Sequence, residues 1–213
     1  MSDSTEIASK VANYLLEIKA VQLSPDKPFK WSSGWNSPIY CDNRVSLSFP
    51  SIRNDIAHAM ARAIKKQFPD CDALCGVATA GIAIGAIVAQ ILELPYSYCR
   101  PKPKEHGMKN QLEGRIAEGS KVVVIEDLIS TGGSSLKVVD FLRGQGTEVL
   151  GMGAIFTYGF DVADENMAKS KCPYFTLSNY DELLPAAMRQ GIIRKEQLET
   201  LREWRKSPET WGS

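Results

Sequence analysis

The sequence predicts an α/β domain with a mainly parallel central sheet flanked by helices, and three observations predict it. Val122 to Ile125 is a β-branched apolar run suited to a strand covered on both faces, with Glu126 and Asp127 at its carboxyl end. Thr131-Gly132-Gly133-Ser134-Ser135 then opens a helix, whose apolar positions recur until Gly144 and Gly146 stop it. A second unit of the same kind follows the same logic: Asp72 to Val77 as strand, Ala78-Thr79-Ala80-Gly81 as turn, Ile82 to Leu94 as apolar helix. Glu148 to Tyr158 supplies a third core strand, its glycines suited to close helix packing. Repeated strand–loop–helix units imply parallel strands, and such sheets bind ligands at their carboxyl ends.

The chain's bounds agree with one such core. At 213 residues, 44% hydrophobic, it is long enough for a substantial core with an elaboration. Its 25 basic and 25 acidic side chains cancel, so no global field recruits nucleic acid or membrane, and any anion site must be local. Five scattered cysteines, an odd number, fit reduced thiols in a cytoplasmic setting better than a disulfide framework. Cys71 and Cys75 lack a second ligand pair at zinc spacing. No apolar run reaches the length of a membrane span, and no charged-then-apolar leader opens the chain.

Taken in order, Asp3 to Leu23 carries apolar residues at helical spacing and predicts a first amphipathic helix, ended by Pro25 and Pro28. Phe29 to Trp31 and Pro38 to Asp42 read as two short strands about a Ser32-Ser33-Gly34-Trp35 turn. Residues 1–50, helix plus hairpin, would form either a hood over the site or a stabilising edge hairpin. Residues 51–213 would form the core as one continuous domain. Ser51 to Phe68 is a second amphipathic helix closed by Pro69, and Pro95 to Cys99 a short strand. Asp161 to Lys169 predicts a helix, Tyr174 to Leu177 the last strand, and Asp181 to Met188 and Lys195 to Trp204 two closing helices. The tail from Ser207 reads as loose, and Trp204 and Trp211 as packing residues.

The chemistry begins at the glycine turn after Asp127. Glycines let the backbone approach closely, the first helical turn leaves N–H groups free, and the helix dipole favours an anion, so Thr131 to Ser135 reads as a phosphate cradle. Neither a Walker ending nor a dinucleotide glycine pattern is present. Two carboxylates beside phosphate would repel it unless they face hydroxyls or a metal, and an adjacent pair can accept hydrogen bonds from vicinal hydroxyls of a ribose. The turn around Thr79 and Ala80 is either a second anion loop, for pyrophosphate, or a plain βα turn. Arg100 to Gln111 is polar, without period, and carries Arg100, Lys102, Lys104, His106 and Lys109 against Glu105 alone. Such a run is ordinarily a solvated loop, but beside two anion loops its cations could close over a departing pyrophosphate.

Val-Val-Ile-Glu-Asp-Leu-Ile-Ser-Thr-Gly-Gly-Ser, here Val123 to Ser134, resembles the signature of type I phosphoribosyltransferases, which bind phosphoribosyl pyrophosphate (PRPP). The resemblance implies that fold, with Glu126 and Asp127 on the ribose hydroxyls and Ser130, Thr131, Gly132, Gly133 and Ser134 on the 5′-phosphate. Phe29 to Tyr40 resembles the hood of orotate phosphoribosyltransferases in particular, and implies that Tyr40, Cys41, Ser130 and Tyr158 meet orotate. Arg100, Lys104, His106 and Gly107 are similar to that family's catalytic loop, which reaches the neighbouring subunit's site and so implies a homodimer. By the same resemblance Thr79, Ala80 and Lys102 join the PRPP contacts, Asp127 joins the catalytic set, and magnesium (Mg2+) enters with PRPP and water. Ser32, Ala80 and Pro101 stand where relatives carry lysines. Two other readings share the ribose-phosphate motif: a purine-base phosphoribosyltransferase, which should not need this hood, and a PRPP-sensing regulator, which should not need the basic loop.

Overall fold

The computed structural model describes residues 3–31, 33–100 and 111–212. In chain order the elements are α1 (Asp3–Glu17), β1 (Val21–Leu23), β2 (Phe29–Lys30), β3 (Asn36–Ser37), β4 (Ile39–Cys41), a 3-10 helix (Asn43–Ser48), α2 (Pro50–Gln67), β5 (Ala73–Val77), α3 (Ala80–Leu92), β6 (Tyr96–Cys99) and β7 (Leu112–Glu113). β8 (Lys121–Ile129), α4 (Gly133–Gly144), β9 (Glu148–Thr157), α5 (Asp161–Lys169), β10 (Tyr174–Asn179), α6 (Tyr180–Arg189) and α7 (Gln197–Lys206) complete the described chain.

The main sheet has the order β10-β9-β8-β5-β6-β7, parallel except for β7, which pairs antiparallel with β6. Strand alternation sorts the side chains into two apolar layers. Val123 and Ile125 of β8 join a cluster with α1, α2, α3, α6 and α7, whereas Val122 and Val124 join one with α4 and α5. A strand buried on both faces explains the unbroken valine run. The chain leaves β5 outward to β6 on one side and returns through β8 to β9 and β10 on the other, so the order reverses between β5 and β8. At such a reversal the two following loops diverge and leave a crevice at the carboxyl ends of the strands.

Several local expectations change. The first helix stops at Glu17, not Leu23: Lys19 adopts a left-handed φ of 57°. Val21 to Leu23 instead pairs antiparallel with Ile39 to Cys41. The apolar spacing of so short a strand mimics a further helical turn. The hood hairpin likewise closes differently, since β2 pairs with β3 rather than with the 38–42 segment. Its turn is held by Trp31 N–H donating to the Trp35 carbonyl at 2.9 Å, and Gly34 takes a φ of +91°. α1 packs on β10 and α6 and shares the larger hydrophobic cluster, so the helix grouped with the hood in sequence lies within the core layer. β8 runs through the acidic pair to Ile129 instead of ending before it, because Glu126, Leu128 and Ile129 remain in register with β9. The tail is anchored rather than loose: Asn36 Nδ2 donates to the Gly212 carbonyl at 2.9 Å and Trp211 packs on the core.

Candidate active site

Glu126 and Asp127 sit on β8 next to the reversal point, and their surroundings follow from the strand's alternation. Glu126 is buried, 6% exposed, and accepts from the Ser135 hydroxyl at 2.7 Å and from the Asp127 N–H at 3.1 Å. Asp127 beside it is half-buried, and its carbonyl accepts from Asn43 Nδ2 at 2.9 Å. Loss of water, then the neighbouring Asp127 charge, push Glu126 above the usual carboxylate range. Burial raises Asp127 as well. Two acids held reluctant to ionise are primed to accept hydroxyl donors or face a cation.

The glycine turn is where the chain needs glycine. Gly132 caps α4 at φ 78°, and the Thr131 carbonyl accepts from Asn166 Nδ2 at 2.9 Å, which fixes the loop against α5. No side chain caps α4, so its opening amides remain available to an anion. Across the crevice α3 opens at Ala80 after Thr79, again without a side-chain cap, and the Ala78–Thr79 peptide is cis. A Cβ on Gly81 would collide with the Ile125 carbonyl, so glycine lets α3 lie directly on β8. The two helix mouths thus flank the acidic pair.

Arg100 follows β6 on the neighbouring strand. The Ala78 N–H donates to the Cys99 carbonyl at 2.9 Å, which places Arg100 beside the 78–81 turn. Its Nε is buried without a hydrogen-bond partner among the described residues. Arg100 N–H donates to the Gln111 carbonyl at 2.9 Å and Gln111 Nε2 returns to the Arg100 carbonyl at 3.0 Å, tying both ends of the basic segment to the sheet edge. Lys102, Lys104 and His106, like Ser32 and Pro101, lie outside the described residues.

The hood and the sheet enclose a cleft of about 410 Å³ lined by Tyr40, Cys41, Ser130 and Tyr158 together with Lys30, Trp31, Ser33 and Leu128. Burial pushes the Cys41 thiol and the Tyr158 phenol well up, so both are neutral at physiological pH. Trp31 stands over Tyr158 with ring centroids 5.2 Å apart, and its Nε1 donates to the Ile39 carbonyl at 3.0 Å. The four residues assigned to the base from sequence therefore share one cleft. Sequence reasoning missed Lys30, Trp31, Leu128 and Asn43, and placed Ser135 in the cradle by its amide without its hydroxyl bond to Glu126. Asn43 is a polar side chain two residues past the short strand Ile39–Cys41, and only its 2% exposure in the fold marks it out.

An acidic pair at the strand reversal, two uncapped helix mouths and a hooded cleft are the fold and site of a phosphoribosyltransferase. The family model described as a phosphoribosyl transferase domain matches residues 47–184. The orotate phosphoribosyltransferase of Cytophaga hutchinsonii is 55% identical over 202 residues, 95% of this chain and 97% of that protein. That of Listeria innocua is 53% identical over 206 residues, covering 97% and 99%. Among solved structures, the orotate phosphoribosyltransferase of Aeropyrum pernix superposes with a TM-score of 0.74 at 28% identity, over 86% of this chain and 99% of that one. Leishmania donovani UMP synthase superposes at 0.78 and 25% identity, over 92% of this chain and 42% of that one. The chain belongs to the orotate phosphoribosyltransferase family.

Proposed function

We propose that this enzyme transfers the 5-phosphoribosyl group of PRPP to orotate, giving orotidine 5′-monophosphate and pyrophosphate, the step that commits orotate to pyrimidine nucleotide synthesis. One observation carries the reading: the paired acids stand between two uncapped helix mouths and beside the hooded cleft. Glu126 and Asp127 take the ribose hydroxyls, the amides from Ser130 to Ser134 take the 5′-phosphate, and Thr79 and Ala80 take the pyrophosphate. Orotate lies in the cleft against Tyr40, Cys41, Ser130 and Tyr158.

As the bond to pyrophosphate breaks, positive charge develops on the sugar and negative charge on the leaving group. Asp127, with Glu126 behind it, stabilises the first, while Arg100, Lys102, Lys104 and His106 stabilise the second and exclude water. The orotate ring nitrogen then attacks the sugar. Magnesium fits the donor chemistry: the acids offer hard oxygens, but no group of three His, Cys, Asp or Glu forms a cage among the described residues. It would be held near Glu126 and Asp127 and would supply charge neutralisation of the pyrophosphate. The enzyme works as a homodimer, with the 100–111 segment reaching the neighbouring site, and in the cytoplasm. Unpaired thiols at all five cysteines suit that compartment, and no helix among the described residues is long and apolar enough to cross a membrane.

Incubating the purified protein with magnesium, PRPP and each free base tests the reading. Product with orotate supports it. Product only with hypoxanthine or guanine would move the assignment to a purine-base enzyme, and PRPP binding with no product to a sensor.

A further inference from the structure

Orotate differs from uracil by one carboxylate, so the cleft needs something to recognise that group. The walls offer little charge. Cys41 and Tyr158 are neutral, Trp31 and Leu128 are apolar, and Tyr40, Ser33 and Ser130 carry hydroxyls. Lys30 is the only formally charged side chain among the described lining residues. It is exposed on β2, opposite Asn36 across the hood hairpin, and has no ion-pair partner among the described residues. Arg44, a nearby cation on the hood side, is already committed: its Nε and Nη2 bind both Asp42 oxygens at 2.7 and 2.9 Å. Asp127, next in sequence to the lining residue Leu128, lies close enough for its charge to reach Cys41 and Tyr158.

The field across the cleft therefore has a direction. Among the described lining residues the formal positive charge lies on the hood, and a carboxylate is drawn there. A free ammonium at that mouth gives an anionic ligand a partner that a neutral pyrimidine cannot use, which is how a single charge becomes selectivity. We propose that Lys30 is a specificity-determining residue of this enzyme, pairing with the carboxylate of orotate and so holding the base against the Trp31–Tyr158 wall. The inference rests on the orotate reading above and deepens it.

Steady-state kinetics with PRPP and magnesium, orotate varied, on wild type, Lys30→Met and Lys30→Arg tests it. Expected for Lys30→Met is a rise of roughly tenfold in the KM for orotate, the size of one charge-assisted contact. The KM for PRPP should hold within about twofold, and added salt should raise the orotate KM of wild type more than that of Lys30→Met. Lys30→Arg should recover most of the loss, since it restores the charge and not the shape. An unchanged orotate KM in Lys30→Met would overturn the inference alone, as would a parallel rise in the PRPP KM or failure of arginine to rescue. A wild type that makes no product from orotate would instead overturn the reading beneath it, and the inference with it.

Discussion

The Ser135 hydroxyl donates to Glu126 Oε2 across 2.7 Å, from the first turn of α4 back to β8. That bond ties the mouth of α4 to the acidic pair, so the two parts of the site that we propose share one sugar phosphate are held at a set spacing. It also partly offsets the cost of burying Glu126, which burial nevertheless pushes to about 8.

This burial sets a pH dependence of stability. A carboxyl whose folded pKa is raised binds its proton more tightly folded than unfolded, so its contribution is fully present below the unfolded value of 4.5. It is then lost as pH rises through the folded value, about 8. Glu126→Gln keeps an acceptor for Ser135 but cannot ionise. Thermal melting of the ligand-free protein should show the variant gaining on wild type between pH 5 and 8, by on the order of 1–3 kcal/mol. A difference that is flat across that window would contradict the assignment.

Asp127→Asn replaces an acceptor with a group that also donates toward the sugar. Calorimetry should record PRPP affinity falling roughly 10- to 100-fold, as expected for losing charge-assisted hydrogen bonds. Wild-type binding should release protons, because hydroxyl donors favour the ionised acids; titrations in buffers of different ionisation enthalpy would reveal this. Unchanged affinity in the variant would remove Asp127 from the contact set.

Gly132→Ala should weaken the cradle. The residue sits at φ 78°, and an added Cβ would come 2.9 Å from the Met167 Cε. The methionine tip can yield, but the left-handed backbone costs an L-residue about 1–2 kcal/mol. Melting should register that loss, and PRPP binding should fall with it; full affinity in the variant would mean the turn does not shape the phosphate site.

Lys104→Ala should lower kcat by more than tenfold while leaving PRPP binding within a few-fold, the pattern of a contact made mainly in the transition state. Equal losses in turnover and binding would make Lys104 a ground-state ligand instead.

Trp204 ties α7 to the cleft. Fully buried, its ring meets Trp31 at 5.7 Å, Tyr158 at 5.6 Å and Phe160 at 5.4 Å. Trp204→Ala should cost about 3–5 kcal/mol of stability. Trp204→Phe, a milder change, should raise the orotate KM more than the PRPP KM, because Trp31 and Tyr158 line only the base side. A variant with both KM values unchanged would confine Trp204 to packing.

Local chemistry carried much of this protein in its sequence. The valine run, the acidic pair and the glycine turn are contiguous, and each announces itself by residue type: β-branching for a doubly covered strand, carboxylates for hydroxyls, glycine for a left-handed backbone. That was enough for the α/β class and the ribose-phosphate motif, and the hood motif carried the resemblance to one family. Short strands were harder. Val21 to Leu23 looked helical because three residues cannot display a period, and their partner, Ile39 to Cys41, lies outside any local window.

Tertiary structure alone decided which distant side chains face one another. Lys30, Trp31 and Leu128 line the cleft with Tyr158, Asn43 holds the Asp127 carbonyl, and Trp204 backs the wall from the far end of the chain. None of these pairings follows from spacing, because the hood and α7 reach the cleft only after the sheet has reversed its order between β5 and β8. Sequence specifies what each segment can bind; packing decides which of those segments meet.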